Sequence, residues 1–263
     1  MEIKVIGEKK KTIKGVHQPM SVKMKCLSCL IGIIIVAGLA WVSLLVVQAA
    51  SRHARRNDRA KNLWYVGEGL KNYSAAHRHL PNAVRLDQSG RPIASWRYDI
   101  LKYVENLKMD TIPNKRWDDP AQEEWYKSAL GIYCFSPDAN PEETASPKSR
   151  HTNVMAVTGP DTAFDGQKRR KLLDLDKDTI LAVEVADTGV HWMEPGDLAI
   201  DKVPASLVKG VDGDGFCVLF SDGAVWFLRS DVPLEDVKKF FTIEGSKKHD
   251  REELLGPYAG VKQ

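Results

Sequence analysis

CLSCLIGIIIVAGLAWVSLLVVQAAS (residues 26–51) is uncharged and mostly apolar between Lys25 and Arg52, and it runs on without a proline into RHARRNDRAKNLWYVGEGLKNYSAAHRHL (residues 52–80). These two pieces decide the fold. At the helical rise the first spans roughly 39 Å, against a hydrocarbon core of about 30 Å, so it is long enough to cross a bilayer with some tilt. In the second, Leu63, Val66, Leu70, Tyr73 and then Ala76 or His77 recur at spacings of three and four. That is the apolar stripe of an amphipathic helix, and the spacing predicts that one helix leaves the membrane and lies on something beneath it. Gly67 and Gly69 interrupt the stripe. Each weakens a helix by about 1 kcal/mol relative to Ala, and close packing against a sheet is the expected compensation.

Charge agrees with a membrane-tethered domain. Residues 1–25 carry seven Lys against two Glu, and residues 51–61 carry five Lys or Arg against one Asp, so the overall +3 leaves the rest of the chain negative. Basic residues thus flank the apolar run, as anionic headgroups favour, and they are not spread over the domain as nucleic-acid binding requires. Nucleic acid is set aside as a partner. The first 25 residues read as a basic cytoplasmic tail without a core. The apolar run is too long for the usual 7–15-residue signal-peptide core, although Val47-Gln48-Ala49 offers a small-residue cleavage site. Basic residues on its two sides nearly balance, so charge alone does not orient it.

The rest, residues 81–245, suffices for one α+β domain, with a charged tail over 246–263 expected to fray. The stretch 93–105 (IASWRYDILKYVE) predicts a short helix with a buried aromatic face. Residues 110–125 predict a structured loop and a helical turn, and 139–150 a polar surface loop. Strands are expected over 152–157 and 179–185, both rich in β-branched residues. FCVLFSDGAVWFL (residues 216–228) predicts a hairpin, with Asp222-Gly223 supplying the positive φ of a tight turn. A short helix is expected over 234–241. The tryptophans at 96, 117, 125, 192 and 226 are expected to pack the core, not to form a carbohydrate platform.

Five segments, NLWYVGEGLKNYSAAHRHLP (62–81), SWRYDILKYVE (95–105), TNVMAVTGPDTAF (152–164), TILAVEVADTGVHWMEPGDL (179–198) and VLFSDGAVWFL (218–228), occur in the order seen in a large family of planctomycete proteins. The chain resembles that family, in which a domain of unknown function follows a prepilin-like N-terminus, and it is similar in architecture to type II secretion pseudopilins of the major (G) class. The resemblance implies a pilin-like fold, a long helix packed on an antiparallel sheet, with a cytoplasmic N-terminus and an exported domain. It also implies a structural or interaction role in a secretion or cell-surface apparatus, in the inner membrane, with apparatus proteins or further copies of the chain as partners. The processing site of such proteins, Gly before Phe-Thr-Leu-hydrophobic-Glu, is replaced here by Lys25-Cys26-Leu27-Ser28-Cys29-Leu30-Ile31. A retained anchor is therefore expected in place of a polymerising stem. The family's His-x-Gly-Gly is likewise replaced, by Val211-Asp212-Gly213-Asp214-Gly215.

No G-x-S-x-G, H-E-x-x-H, G-x-x-x-x-G-K-[ST] or complete G-x-G-x-x-G occurs. The residual acid/base candidates are Glu184, His191 and Glu194, accompanied by Asp187 and Asp197 in the same polar loop. They define the alternative reading, a membrane-tethered enzyme or ligand-binding protein using residues 184–197. Asp174-x-Asp176-x-Asp178 imitates the opening of a calcium loop but lacks its sixth-position Gly and twelfth-position Glu. Likeness to pseudopilins, some of which bind calcium, marks Asp212, Asp214 and Asp222 as calcium candidates; otherwise Asp-Gly pairs are turn chemistry. No other cofactor is implied. Cys26 and Cys29 lack the further ligands of a zinc site. Cys134 and Cys217 are the pair that an oxidising compartment would join, and otherwise small buried residues. His77 and His79 are expected to cap the helix end or lie at the surface.

Overall fold

A computed structural model describes residues 22–104, 115–122, 132–134, 150–166 and 168–263, with side chains from residue 33 onward. The expectations for the tail at 1–21, for Trp125 and for the polar loop at 139–149 lie outside these residues, as do the side chains of Cys26 and Cys29. The chain divides into two units, Met1–Arg52 and His53–Gln263. The helix α1 (Val22–His77) contributes to both. Its segment Ile33–His77 contains an 18-residue window of mean hydropathy 2.4, none of it buried. Ile33, Leu39, Trp41 and Val47 are each more than 60% exposed, which makes this helix long and apolar enough to cross a membrane.

In the second unit the elements follow in the order β1 (Val84–Leu86), β2 (Pro92–Ser95), α2 (Trp96–Asp99), β3 (Val154–Thr158), β4 (Ile180–Glu184), β5 (Leu198–Ala199), β6 (Gly215–Phe220), β7 (Val225–Arg229), α3 (Leu234–Lys238), α4 (Ile243–Lys248), α5 (Arg251–Leu254) and β8 (Ala259–Lys262). A six-stranded sheet runs β5-β3-β4-β6-β7-β8, and β1 and β2 form a separate hairpin. Every pairing in the large sheet is antiparallel except β3 with β5. The α+β class is thus realised, a long helix with a mostly antiparallel sheet.

The sheet is buried on both faces. Along β6 and β7, Cys217, Leu219, Val225 and Phe227 join the core beneath α1. Phe216, Val218, Phe220, Trp226 and Leu228 join a second core with Val237, Phe240, Phe241 and Leu255 from the segments after β7. This is the period-two alternation of strands, and because both sides are apolar the strands read as continuous hydrophobic runs. The α1 stripe sits where its spacing placed it, with Leu63, Val66 and Leu70 fully buried and Tyr73 half-buried; Ala76 and His77 are exposed. Each fully buried aliphatic of that stripe contributes about 1.5–3 kcal/mol. The two glycines mark the closest approach. A Cβ on Gly67 would stand 2.8 Å from Leu219 Cδ1, and one on Gly69 2.8 Å from Val104 Cγ2. The hairpin turn has Gly223 at φ 90.

Two expectations are corrected. Residues 93–95 belong to β2, so the helix starts only at Trp96, where Ser95 accepts a hydrogen bond from the Arg97 N–H. The tail over 246–263 is ordered. Asp250 caps α5, Leu255 is fully buried, and β8 adds an edge strand to β7, with Val225 and Gln263 exchanging backbone hydrogen bonds at 2.9 Å. The alternation Ala259-Gly260-Val261 is short and set among charges, which conceals it in the sequence.

Candidate functional site

The residues singled out in the 184–197 stretch fall into three separate constellations. Glu184, at the end of β4, is fully buried under α1. Its Oε1 accepts from Arg59 Nη1 at 2.6 Å and from the Val211 N–H at 3.2 Å, and its Oε2 accepts from the Cys217 N–H at 3.1 Å. Burial pushes its carboxyl above the usual range, with the Arg59 guanidinium and these donors opposing. His191 and Glu194 are brought together elsewhere. The His191 N–H donates to Glu194 Oε2 at 3.2 Å, His191 Nδ1 accepts from the Met193 N–H, and the ring stacks against Trp117 and Trp192. No hydrogen bond among the described residues links Glu184 to that pair. Asp197 faces a third way, and its Oδ1 accepts from Trp96 Nε1, Arg97 Nη1 and the Ala156 N–H.

Arg97 is the residue that sequence reasoning passed over. It is fully buried, and its five N–H groups have five acceptors: the carbonyls of Trp192, Val154, Glu194 and Gly196, and Asp197 Oδ1. It knots α2, β3 and the loop before β5 together. Burial also raises the Asp197 carboxyl, against the Arg97 charge.

The calcium candidates are divided between two ends of the sheet and engaged by arginine. Asp212 lies 3.5 Å from Arg55 and 3.3 Å from Arg59, and Asp214 lies 2.6 Å from Arg56. Asp222, at the hairpin turn, is bound by Arg251 at 2.6 Å, and the Arg251 hydrogen bonds help hold its carboxyl below the ordinary range against the opposing effect of burial. Among the described residues no group of three or more His, Cys, Asp or Glu is arranged to hold a metal. The Cys134–Cys217 pairing is corrected, since Cys217 is a free thiol. It points into the α1 core beside Glu184, and burial and that carboxylate raise its pKa.

A concave site lies at the end of α1. There a cleft of about 500 Å³ opens beside Tyr73, His77 and His79. The helix stops because Arg78 turns to φ 66, its N–H returning to the Ser74 carbonyl. The rings of Tyr73 and His77 stack with centroids 4.2 Å apart, and His77 Nε2 and the Tyr103 hydroxyl are 2.7 Å apart. His79 Nδ1 donates to the Leu80 carbonyl at 2.7 Å. Across the cleft, the β1–β2 hairpin supplies Arg85, paired to Asp99 at 2.9 Å. Asn82, Leu86 and Arg169 complete the lining. Burial lifts Asp99 to about 6 in spite of Arg85 and Lys102, and burial lowers His77 with help from Lys102 and His79. Near neutral pH the cleft therefore holds a neutral His77 beside a charged Asp99 that is close to titrating. Displaced acidities in a concave, part-aromatic site make this cleft a candidate functional position.

Every one of these lining residues lies in one segment of the chain. Residues 48–171 match the model of a family described as "Protein of unknown function (DUF1559)". Three of the five recurring segments, at 62–81, 95–105 and 152–164, fall inside the match. No curated protein and no solved structure matches the chain. His77 and His79 do end the helix, as expected, yet the structure also gathers them with Arg85, Asp99 and Arg169, a convergence that no spacing in the sequence displays. The available signal was the density of His, Arg and Tyr where α1 stops. The lining is cationic, aromatic and amide in character, with one carboxylate.

Proposed function

We propose that this chain is a single-pass inner-membrane protein with a cytoplasmic N-terminus and an exported, pilin-like domain, serving as a structural or interaction component of a secretion or cell-surface apparatus. The observation that carries the reading is the two-part character of α1. Its residues 33–47 present aliphatic side chains to their surroundings, whereas Leu63, Val66 and Leu70 are buried on the sheet. A soluble protein has no use for the first part. The boundaries follow as a membrane segment at 26–51, a helical continuation at 52–80 and the exported domain beyond. With the Gly and Glu of a processed prepilin replaced, the anchor is retained.

Alkaline carbonate extraction of membranes from cells making the full chain tests the first half, since an integral protein stays in the pellet. Protease added to spheroplasts tests the second. Loss of a C-terminal tag with survival of an N-terminal one is expected, and the reverse pattern refutes the orientation. N-terminal sequencing should find the basic tail ahead of residue 26 still attached; a start at 27–31 would instead make it a processed stem, and a start at residue 50 a cleaved export signal. Cross-linking in native membranes should then capture apparatus proteins or a second copy.

The second reading, a membrane-tethered ligand-binding protein, is favoured by the cleft at the end of α1. The 184–197 loop supports it less, because Glu184 and the His191–Glu194 pair have separate partners.

A further inference from the structure

We propose that the cleft between the end of α1, the β1–β2 hairpin and Arg169 is a binding site for a small organic anion bearing a carboxylate or phosphate group. This rests on the ligand-binding reading and adds the class of ligand.

Charge is the first argument. Two guanidinium groups, Arg85 and Arg169, line the space against one carboxylate, Asp99, which Arg85 already engages at 2.9 Å. The acidic remainder of the domain gives no reason for this local excess of cations. The second argument is the difference between two adjacent arginines. Arg170 is held by Asp165 at 3.1 Å and Asp161 at 3.9 Å. Arg169 makes no hydrogen bond or ion pair with the described residues, yet its charge acts on the Tyr73 hydroxyl across the cleft. A guanidinium fork matches carboxylate and phosphate oxygens in a bidentate way. Asn82 adds a carboxamide donor.

Competing ligand classes fit less well. A cation would meet the excess positive charge, and an apolar molecule would find only Leu86 as an aliphatic wall. The negative end of the α1 dipole acts against an anion, but it is a partial charge facing the full guanidinium charge of Arg169, beside an Arg85 that Asp99 compensates. The volume, about 500 Å³, lies within the range of small-molecule sites. It exceeds what a bare inorganic anion fills, so an organic body would lie against Leu86 and the Tyr73 ring.

The test uses the full-length chain in detergent micelles and calorimetric titration with four probes: galacturonate, glucose 6-phosphate, galactose and glucosamine. The proposal expects one or both anions to bind at least about tenfold more tightly than galactose and glucosamine. The galacturonate and glucose 6-phosphate arms separate carboxylate from phosphate recognition. Arg169→Gln, at an exposed position outside the core, should weaken anion binding about tenfold while leaving the melting temperature of the free protein in place. Galactose or glucosamine binding as well as the anions would overturn the ligand class and leave the ligand-binding reading standing. No heat and no protection against melting from any probe at about 10 mM would remove both. Anion binding unchanged in the Arg169→Gln protein would overturn the placement.

Discussion

Arg97 and Arg169 are the same residue type put to opposite uses. Arg97 is fully buried, with every N–H matched to an acceptor of the fold. Arg169 stands at the lip of a cleft and has none among the described residues. A buried guanidinium needs full satisfaction, because an unmatched N–H in a low dielectric costs more than the matched bond contributes. Complete satisfaction thus marks a structural cation, and an unengaged one in a concave wall marks a cation kept for a ligand. Arg59 lies between the two: its Nη1 is bound to the completely enclosed Glu184, while its buried Nε and Nη2 make no hydrogen bond.

Four substitutions would break or sharpen that contrast. Arg97→Met should be the most damaging, by about 3–5 kcal/mol in urea unfolding, because it leaves Asp197 as a buried, unpaired carboxylate. A loss under 1 kcal/mol would show that the knot is dispensable. Glu184→Leu strands Arg59 beneath α1, although Asp212 at 3.3 Å remains to share its charge. About 2–4 kcal/mol is expected, again from urea unfolding.

Asp99 belongs to the cleft and gives a pH signature. Its folded pKa, about 6, lies above the ordinary 3.8. The fold therefore holds this proton more firmly than the unfolded chain does. The group's contribution is unfavourable above pH 6 and fades as pH falls toward 4. Unfolding free energy measured for the wild type minus that of Asp99→Asn should rise by on the order of 2 kcal/mol between pH 7 and pH 4. A flat difference would mean that Asp99 is not held out of water. Arg169→Gln should change stability least, within about 0.5 kcal/mol, as surface substitutions do. A large loss there would return Arg169 to the structural class.

The same contrast explains what could be read from the sequence. The α1 stripe, β4, β6 and β7 were legible because each is a local periodicity of apolar residues, resolvable within a window of a dozen positions. Gly67 even announced the sheet it touches, at Leu219, whereas Gly69 packs on Val104 and Ile100 outside the sheet. Arg97 and Arg59 were not legible, since a charged residue in a mixed segment reads as surface until its partner is known. Those partners are 100 and 125 residues away, at Asp197 and Glu184. For the same reason the cleft was missed, its walls being drawn from residues near 77, 85, 99 and 169. Grouping Glu184 with His191 failed differently, because fourteen residues at the end of a strand were treated as one place when the fold gives them separate hydrogen-bond partners.

The burial of the α1 stripe also sets a clock. The helix is made early, but the β6 and β7 residues that cover it come late, as the pairing of Arg56 with Asp214, 158 residues apart, records. Closing so long a loop ranks this domain with the slow folders. Throughout that interval Leu63, Val66 and Leu70 form an uncovered stripe directly downstream of an apolar run. The nascent chain is then a natural client for the membrane surface or a chaperone, until the hairpin arrives to replace it.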